Sequence, residues 1–155
     1  MINKSDVGQM SPLVWAYMGD AVYEKFIREY VIKQGMCRNG LLHRKSIRYV
    51  SAKAQAKIVH KLEEMEYLTD DEADIVRRGR NSNPHSTAKN ANIIDYKYAT
   101  GFEALIGYLY LEEKLERLEE ILNKINIERI NLKNILEIKK KQKEKILKIV
   151  LKFLI

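Results

Sequence analysis

Cysteine is nearly absent from this chain: Cys37 is the only one in 155 residues, so no internal disulfide can form and no thiolate metal cluster can be built. Nothing therefore argues for an oxidising compartment, and the cytoplasm is the expected one. No apolar run reaches the roughly 18 residues that a membrane span requires, so no membrane partner is expected. The opening MINKSDVGQM lacks the apolar core of a secretory signal. Proline occurs twice and glycine seven times. With 46% hydrophobic and 32% charged residues, that is a globular composition rather than a disordered or fibrous one. A chain of this length has room for one domain with a sizeable core.

Negative charge is scarce in two stretches. Residues 129–155 carry nine Lys and Arg against two acids, which accounts for the whole net charge of +7 and leaves residues 1–128 balanced. Within that balanced body, residues 25–61 hold ten basic groups and one acid, Glu29, whereas residues 62–74 hold seven acids and no base. A neutral body can thus present a strongly positive face to a polyanion.

Strand patterning is missing throughout, and helical spacing is everywhere. Ser11-Pro12 reads as N-cap and first helical position of a long helix over Leu13–Lys33, ended by Gly35. Leu41–Val50 reads as a short helix. Ser51 caps another to about Glu66, with Ala54, Ile58, Val59 and Leu62 inward. Thr69 and Glu72 have the form of a capping box opening a helix to about Arg80. The Asn-, Ser- and Thr-rich stretch Asn81–Asn92 reads as the longest loop. Helix is expected again from near Asp95 to Leu111, followed by an amphipathic helix from Glu112 to about Ile125. From Asn126 the alternation of Lys with Ile or Leu reads as a last helix or as a basic tail that orders on a partner. The expected division is a helical domain over 1–126 and a basic, helical tail over 127–155.

Two carboxylates are out of place. Asp20 is the only charged residue in Leu13–Tyr23, and Glu103 the only one in Tyr98–Leu111. An ionised carboxylate is rarely buried without a partner, because desolvating it costs several kcal/mol. Small residues accompany both acids: Ala16 and Gly19 beside Asp20, Thr100 and Gly107 beside Glu103. They are expected to leave a cleft with the acids at its floor. Such a pair suits a hard cation such as Mg²⁺, and it equally suits acid and base roles.

At these residues the chain resembles a known family. Tyr17-Met18-Gly19-Asp20-Ala21-Val22-Tyr23-Glu24 resembles the signature of the ribonuclease III catalytic domain, whose Asp is a metal ligand. Phe102-Glu103-Ala104 through Leu111 is similar to that family's second motif, whose Glu is another. Leu42–Ser46, Val50–Ala56 and Arg77–Asn81 are similar to the small branch called Mini-ribonuclease III, which has the catalytic domain alone. The resemblance runs collinearly over about residues 11–122. Larger members carry further carboxylates four residues before the Asp and three before the Glu, where this chain has Ala16 and Thr100; the small branch shares that reduction.

The resemblance implies an all-α, homodimeric helical bundle that cuts double-stranded RNA with Mg²⁺, for which Mn²⁺ substitutes. It implies catalytic and metal-binding roles for Asp20 and Glu103, and maturation of precursor 23S ribosomal RNA, with a ribosomal protein as a possible further partner. Thr100 and Glu24 are supporting candidates, Glu24 being as readily a surface partner of Lys25 or Arg28. Val14, Trp15, Met18, Tyr23, Phe102 and Tyr108 are candidates for the dimer interface or for the core. A-form RNA is held largely through phosphates and 2′-hydroxyls, so a basic surface is the expected equipment. Arg44, Lys45, Arg48, Lys53 and Lys57 supply it. His43 either donates to a phosphate or completes a local network. Arg77, Arg78, Arg80 and Asn81 lead into the loop, where Asn83, His85, Ser86, Thr87 and Lys89 are placed to bias which duplex is cut. Two alternatives remain on sequence grounds. One is a non-catalytic duplex-RNA-binding or ribosome-associated module of the same fold, disfavoured by retention of both acids. The other is a helical interaction or DNA-binding protein, for which the basic tail alone speaks.

Overall fold

Local chemistry sets the helix ends. The computed structural model describes residues 2–35, 38–82 and 92–154, and at residues 39, 126–139 and 154 it describes the backbone alone. Among the described residues there are seven helices and no strand: α1 (Lys4–Val7), α2 (Pro12–Lys33), α3 (Asn39–Val50), α4 (Ala52–Glu64), α5 (Asp70–Arg80), α6 (Ile93–Leu111) and α7 (Leu115–Leu154). Ser11 Oγ accepts from the Leu13 amide at 3.3 Å, with Pro12 at the first helical position, where no N–H is needed. Ser51 caps α4 the same way, accepting from Ala54 at 3.3 Å. Thr69 and Glu72 make the expected capping box, with bonds of 3.2 and 2.9 Å.

Glu72 does more than cap. Its carboxylate accepts from Arg117 Nε at 2.8 Å and Arg117 Nη2 at 3.0 Å, and Arg117 also donates to the Tyr67 carbonyl at 2.8 Å. Burial pushes the Glu72 carboxyl upward, but the Arg117 hydrogen bond and the Thr69 amide outweigh it and hold it below the usual range. The start of α7 is thereby fastened to the start of α5.

Several expected boundaries move: α3 starts at Asn39 rather than Leu41, and α7 runs past the expected end near Ile125 to Leu154. α4 stops at Glu64 rather than Glu66, and the helix expected from Glu112 starts at Leu115. The same motif explains both. Glu66 (φ 50°) and Glu113 (φ 56°) are left-handed, and the amides of Tyr67 and Lys114 reach back to the carbonyls of Leu62 and Leu109 at 3.0 and 2.9 Å. Those are Schellman stops, built on a left-handed residue that is ordinarily glycine; Gly35 (φ 82°) is left-handed after α2. α6 begins at Ile93 because the Asn92 side chain accepts from the Ile94 amide at 3.0 Å. The pattern also gave no sign of α1, a single turn capped by Asn3.

Residues 1–118 and 119–155 form two compact units. In the first, α6 is the hub and packs against α1, α2, α4 and α5. A helix apolar on all sides belongs inside, and from Ala99 to Leu109 only Glu103 and Tyr108 are not buried. In α2 the buried residues Trp15, Gly19, Tyr23, Ile27 and Val31 recur every fourth position and form one ridge. Trp15 donates to the Val7 carbonyl at 2.8 Å and meets Tyr108 edge-on at 5.2 Å; Tyr23 meets Phe102 edge-on at 4.9 Å. Trp15, Tyr23 and Phe102 are fully buried, so these three interface candidates are core residues. The second unit is helical, and its side chains from Lys140 to Phe153 are exposed.

Helices α2 and α6 touch backbone to backbone. A Cβ on Gly19 would fall 1.7 Å from the Glu103 carbonyl oxygen, and one on Gly107 would fall 1.8 Å from that of Trp15. The small residues were expected to open a cleft; at Gly19 and Gly107 the partner helix fills that space instead. Gly107→Ala is therefore expected to cost about 3 kcal/mol or more, because the colliding atoms are main chain and no rotamer relieves them. Gly40→Ala, in α3 with nothing within 4 Å, is expected to stabilise by about 0.5–1 kcal/mol. Chemical denaturation of both variants checks this, and similar midpoints for the two would contradict the contact.

Candidate active site

The closest approach of α2 and α6 is also where the two acids stand. Asp20 follows Gly19 directly, and the carbonyl that Gly19 meets is that of Glu103. The structure therefore brings together two carboxylates that are 83 positions apart in the chain. Asp20 is exposed and Glu103 is half-buried, so the pair sits at the edge of the core rather than at the floor of a cleft. A third side chain comes from α4. Gln55 is buried and its Nε2 donates to Glu103 Oε1 at 3.1 Å and to the Val50 carbonyl at 2.9 Å.

Both carboxyls are harder to ionise than usual. Burial, and then the charge of Glu24, raise that of Asp20. Burial, and then the charge of Asp20, push that of Glu103 up to about 7 against the opposing hydrogen bond from Gln55. Two anionic oxygens that repel each other at a partly exposed edge are the donor set a hard divalent cation neutralises, and Mg²⁺ needs only one or two carboxylates beside water and phosphate. Among the described residues no group of three or more His, Cys, Asp or Glu is gathered for a metal.

The supporting candidates have local partners. Glu24 accepts from Arg28 at 3.1 Å and acts on Asp20 through its charge. Thr100 is buried, and its hydroxyl donates to the Tyr96 carbonyl at 3.0 Å, one turn back in α6. The basic candidates divide into two groups. Arg44, Arg48, Lys53 and Lys57 are exposed on α3 and α4, with Lys45 half-exposed beside them, and none has an ion-pair partner among the described residues. His43 is exposed on α3, at the rim of a groove shared with Glu24 and Arg28. Arg77, Arg78 and Arg80 are instead engaged by the fold: Arg77 pairs with Asp74, Arg78 lies 4.6 Å over the Trp15 ring, and Arg80 donates to the Tyr98 hydroxyl at 2.9 Å. Asn81 is the C-cap of α5. His85 and Lys89, with Asn83, Ser86, Thr87 and Cys37, lie outside the described residues.

Gln55 is the residue that sequence reasoning passed over. Its signal was available: positions 55, 58, 59 and 62 share one helical stripe, and Gln55 is the polar member of a row that otherwise reads Ile, Val, Leu.

The helical core carries paired acids at a close crossing and unpaired basic groups on the next two helices, and the ribonuclease III domain model matches residues 13–114. The chain is 47% identical over 118 residues to Mini-ribonuclease 3 of Enterococcus faecalis, an alignment that covers 76% of this chain and 89% of that protein. It is 51% identical over 113 residues to Mini-ribonuclease 3 of Symbiobacterium thermophilum, covering 73% and 85%. A crystal structure of a Fusobacterium nucleatum protein superposes with a TM-score of 0.70 at 30% identity, covering 80% of this chain and 98% of that one. This chain belongs to the Mini-ribonuclease III branch of the ribonuclease III family, and is an endoribonuclease of double-stranded RNA. The family is generally dependent on divalent metal. No helix among the described residues is long and apolar enough to cross a membrane.

The raised carboxyl of Glu103 fixes a pH dependence. A group whose folded pKa of about 7 exceeds its ordinary 4.5 contributes stability that is fully present below 4.5 and is lost as pH rises through 7. In metal-free protein, Glu103→Gln is thus expected to stabilise the fold at pH 8 by on the order of 2 kcal/mol, raising Tm, and to change it little at pH 5. Thermal unfolding in a chelator at the two pH values checks this. An equal effect at both would contradict the assigned environment.

Proposed function

We propose that Asp20 and Glu103 hold the catalytic divalent cation, Mg²⁺ with Mn²⁺ as substitute, and that the substrate is a duplex within precursor 23S ribosomal RNA, cut to 5′-phosphate and 3′-hydroxyl ends. The observation that carries this reading is the meeting of the two repelling carboxylates at the Gly19 crossing, one hydrogen bond from the α3–α4 corner that bears the unpaired basic groups. A bound divalent cation polarises a scissile phosphate and lowers the pKa of a coordinated water. The chain's own residues do the rest. Glu103 offers one oxygen from the half-buried side, and Asp20 offers one from the exposed side. Arg44, Arg48, Lys53 and Lys57, with Lys45 and His43, neutralise phosphates across the duplex without reading bases.

The enzyme acts as a homodimer, so that two such sites address the two strands. Support comes from α2, whose Val14 (47% exposed) and Tyr17 (83% exposed) stand in solvent on the helix that carries Asp20. Tyr17 replaces the core residues among the sequence-based interface candidates. A ribosomal protein bound to the precursor is a further partner in this reading, and Thr100 and Glu24 act behind the two ligands.

Asp20→Asn and Glu103→Gln are each expected to lower Mg²⁺-dependent cleavage of a precursor ribosomal RNA duplex by at least 100-fold, while binding of the same duplex in chelator stays within about 3-fold of wild type. Mapped cleavage ends and a filter-binding assay read the two effects. Retained cutting by either folded variant would remove that residue from the metal site.

A further inference from the structure

Gln55 is 1% exposed, and nothing in the reaction described so far requires it. Its amide orientation is fixed by its neighbours. The Val50 carbonyl and the Glu103 carboxylate, 2.9 and 3.1 Å from Nε2, are both acceptors, so the NH₂ must face them. The amide's own Oε1 is buried and accepts from no group among the described residues. A buried carbonyl without a donor is a standing cost, and each such case calls for an explanation. Methionine or leucine would fill the same stripe position between α4 and α6 without that cost. Of the two bonds the amide makes, one closes the local turn at Val50, and the other crosses to α6 and ends on Glu103.

We propose that Gln55 is a positioning residue for the metal site: it fixes through Oε1 the Glu103 carboxylate that, with Asp20, would hold the cation. This rests on the reading of Asp20 and Glu103 as the metal ligands. The bond to Val50 adds a second consequence. Val50 ends α3, and Gln55 lies in the first turns of α4, so one NH₂ ties the carboxylate to the corner between the two helices that carry Arg48 and Lys53. The cation site is thereby registered against the basic surface. Outer-shell partners of this kind typically change metal affinity or activity by about 10- to 100-fold when removed.

The test uses the full metal-stripped chain, without RNA, titrated with Mn²⁺ and followed by the electron paramagnetic resonance signal of the free ion. Gln55→Met and Gln55→Leu remove the donor and keep the apolar volume; Glu103→Gln is the control. Expected are Mn²⁺ binding at least 10-fold weaker in both Gln55 variants, a similar fall in kcat at a fixed low metal concentration, and unchanged duplex affinity in chelator. If Glu103→Gln weakens Mn²⁺ binding and the folded Gln55 variants do not, the positioning role is overturned and the metal reading stands. If Glu103→Gln binds Mn²⁺ as wild type does, both fall together. If one Gln55 variant fails to fold, the other decides. Loss of the fold in both would assign Gln55 to the core and overturn the proposal.

Discussion

The contact on which the rest of this molecule depends is the one between the main chains of α2 and α6. Two glycines, Gly19 and Gly107, remove the side chains that ordinarily hold packed helices 8–10 Å apart. Residues next to those glycines are carried inward with them. Asp20 and the Glu103 backbone are drawn to the crossing because Gly19 rests on the Glu103 carbonyl. At this crossing the Asp20 charge acts on the Glu103 carboxyl. The crossing converts packing into chemistry, at the expense of electrostatic repulsion within the metal-free fold.

That repulsion is kept in bounds by the elements around it. Gln55 donates one hydrogen bond to Glu103, and Glu24, which adds to the negative field, is itself held by Arg28. The positive charge of α3 and α4 stands nearby without closing on the acids, since Arg44, Arg48, Lys53 and Lys57 have no ion-pair partners among the described residues. Acids and bases kept from neutralising one another leave a surface that, in the proposed reading, takes up a cation and phosphates. Where ion pairing is used for structure, at Glu72 and Arg117, it lies on α5 and α7 instead.

Much of the fold was legible because the relevant chemistry is local. Ser11, Ser51, Thr69 and Gly35 mark helix ends through their own hydrogen bonds or φ, and the four-residue ridge of α2 follows from spacing alone. The end of α4 and the start of α7 were not legible, because Glu66 and Glu113 hold left-handed positions that composition assigns to glycine or asparagine. Asp20 and Glu103 stood out as charges in apolar surroundings and were expected at one site; what spacing did not show is that Gly19 and Gly107 are contact points rather than empty space. The basic residues show the opposite limit. Arg44 and Arg78 are alike in sequence terms, yet one faces solvent while the other covers Trp15, and only the direction of the side chain separates them.

The account stands on Glu103 and Asp20 sensing each other across the crossing. The most direct measurement is a pH titration of the Glu103 side-chain carboxyl ¹³C resonance in metal-free protein, for the wild type and for Asp20→Asn. The account predicts a midpoint near 7 in the wild type and a distinctly lower one once the Asp20 charge is gone. An ordinary midpoint near 4.5 that Asp20→Asn leaves unmoved would contradict it.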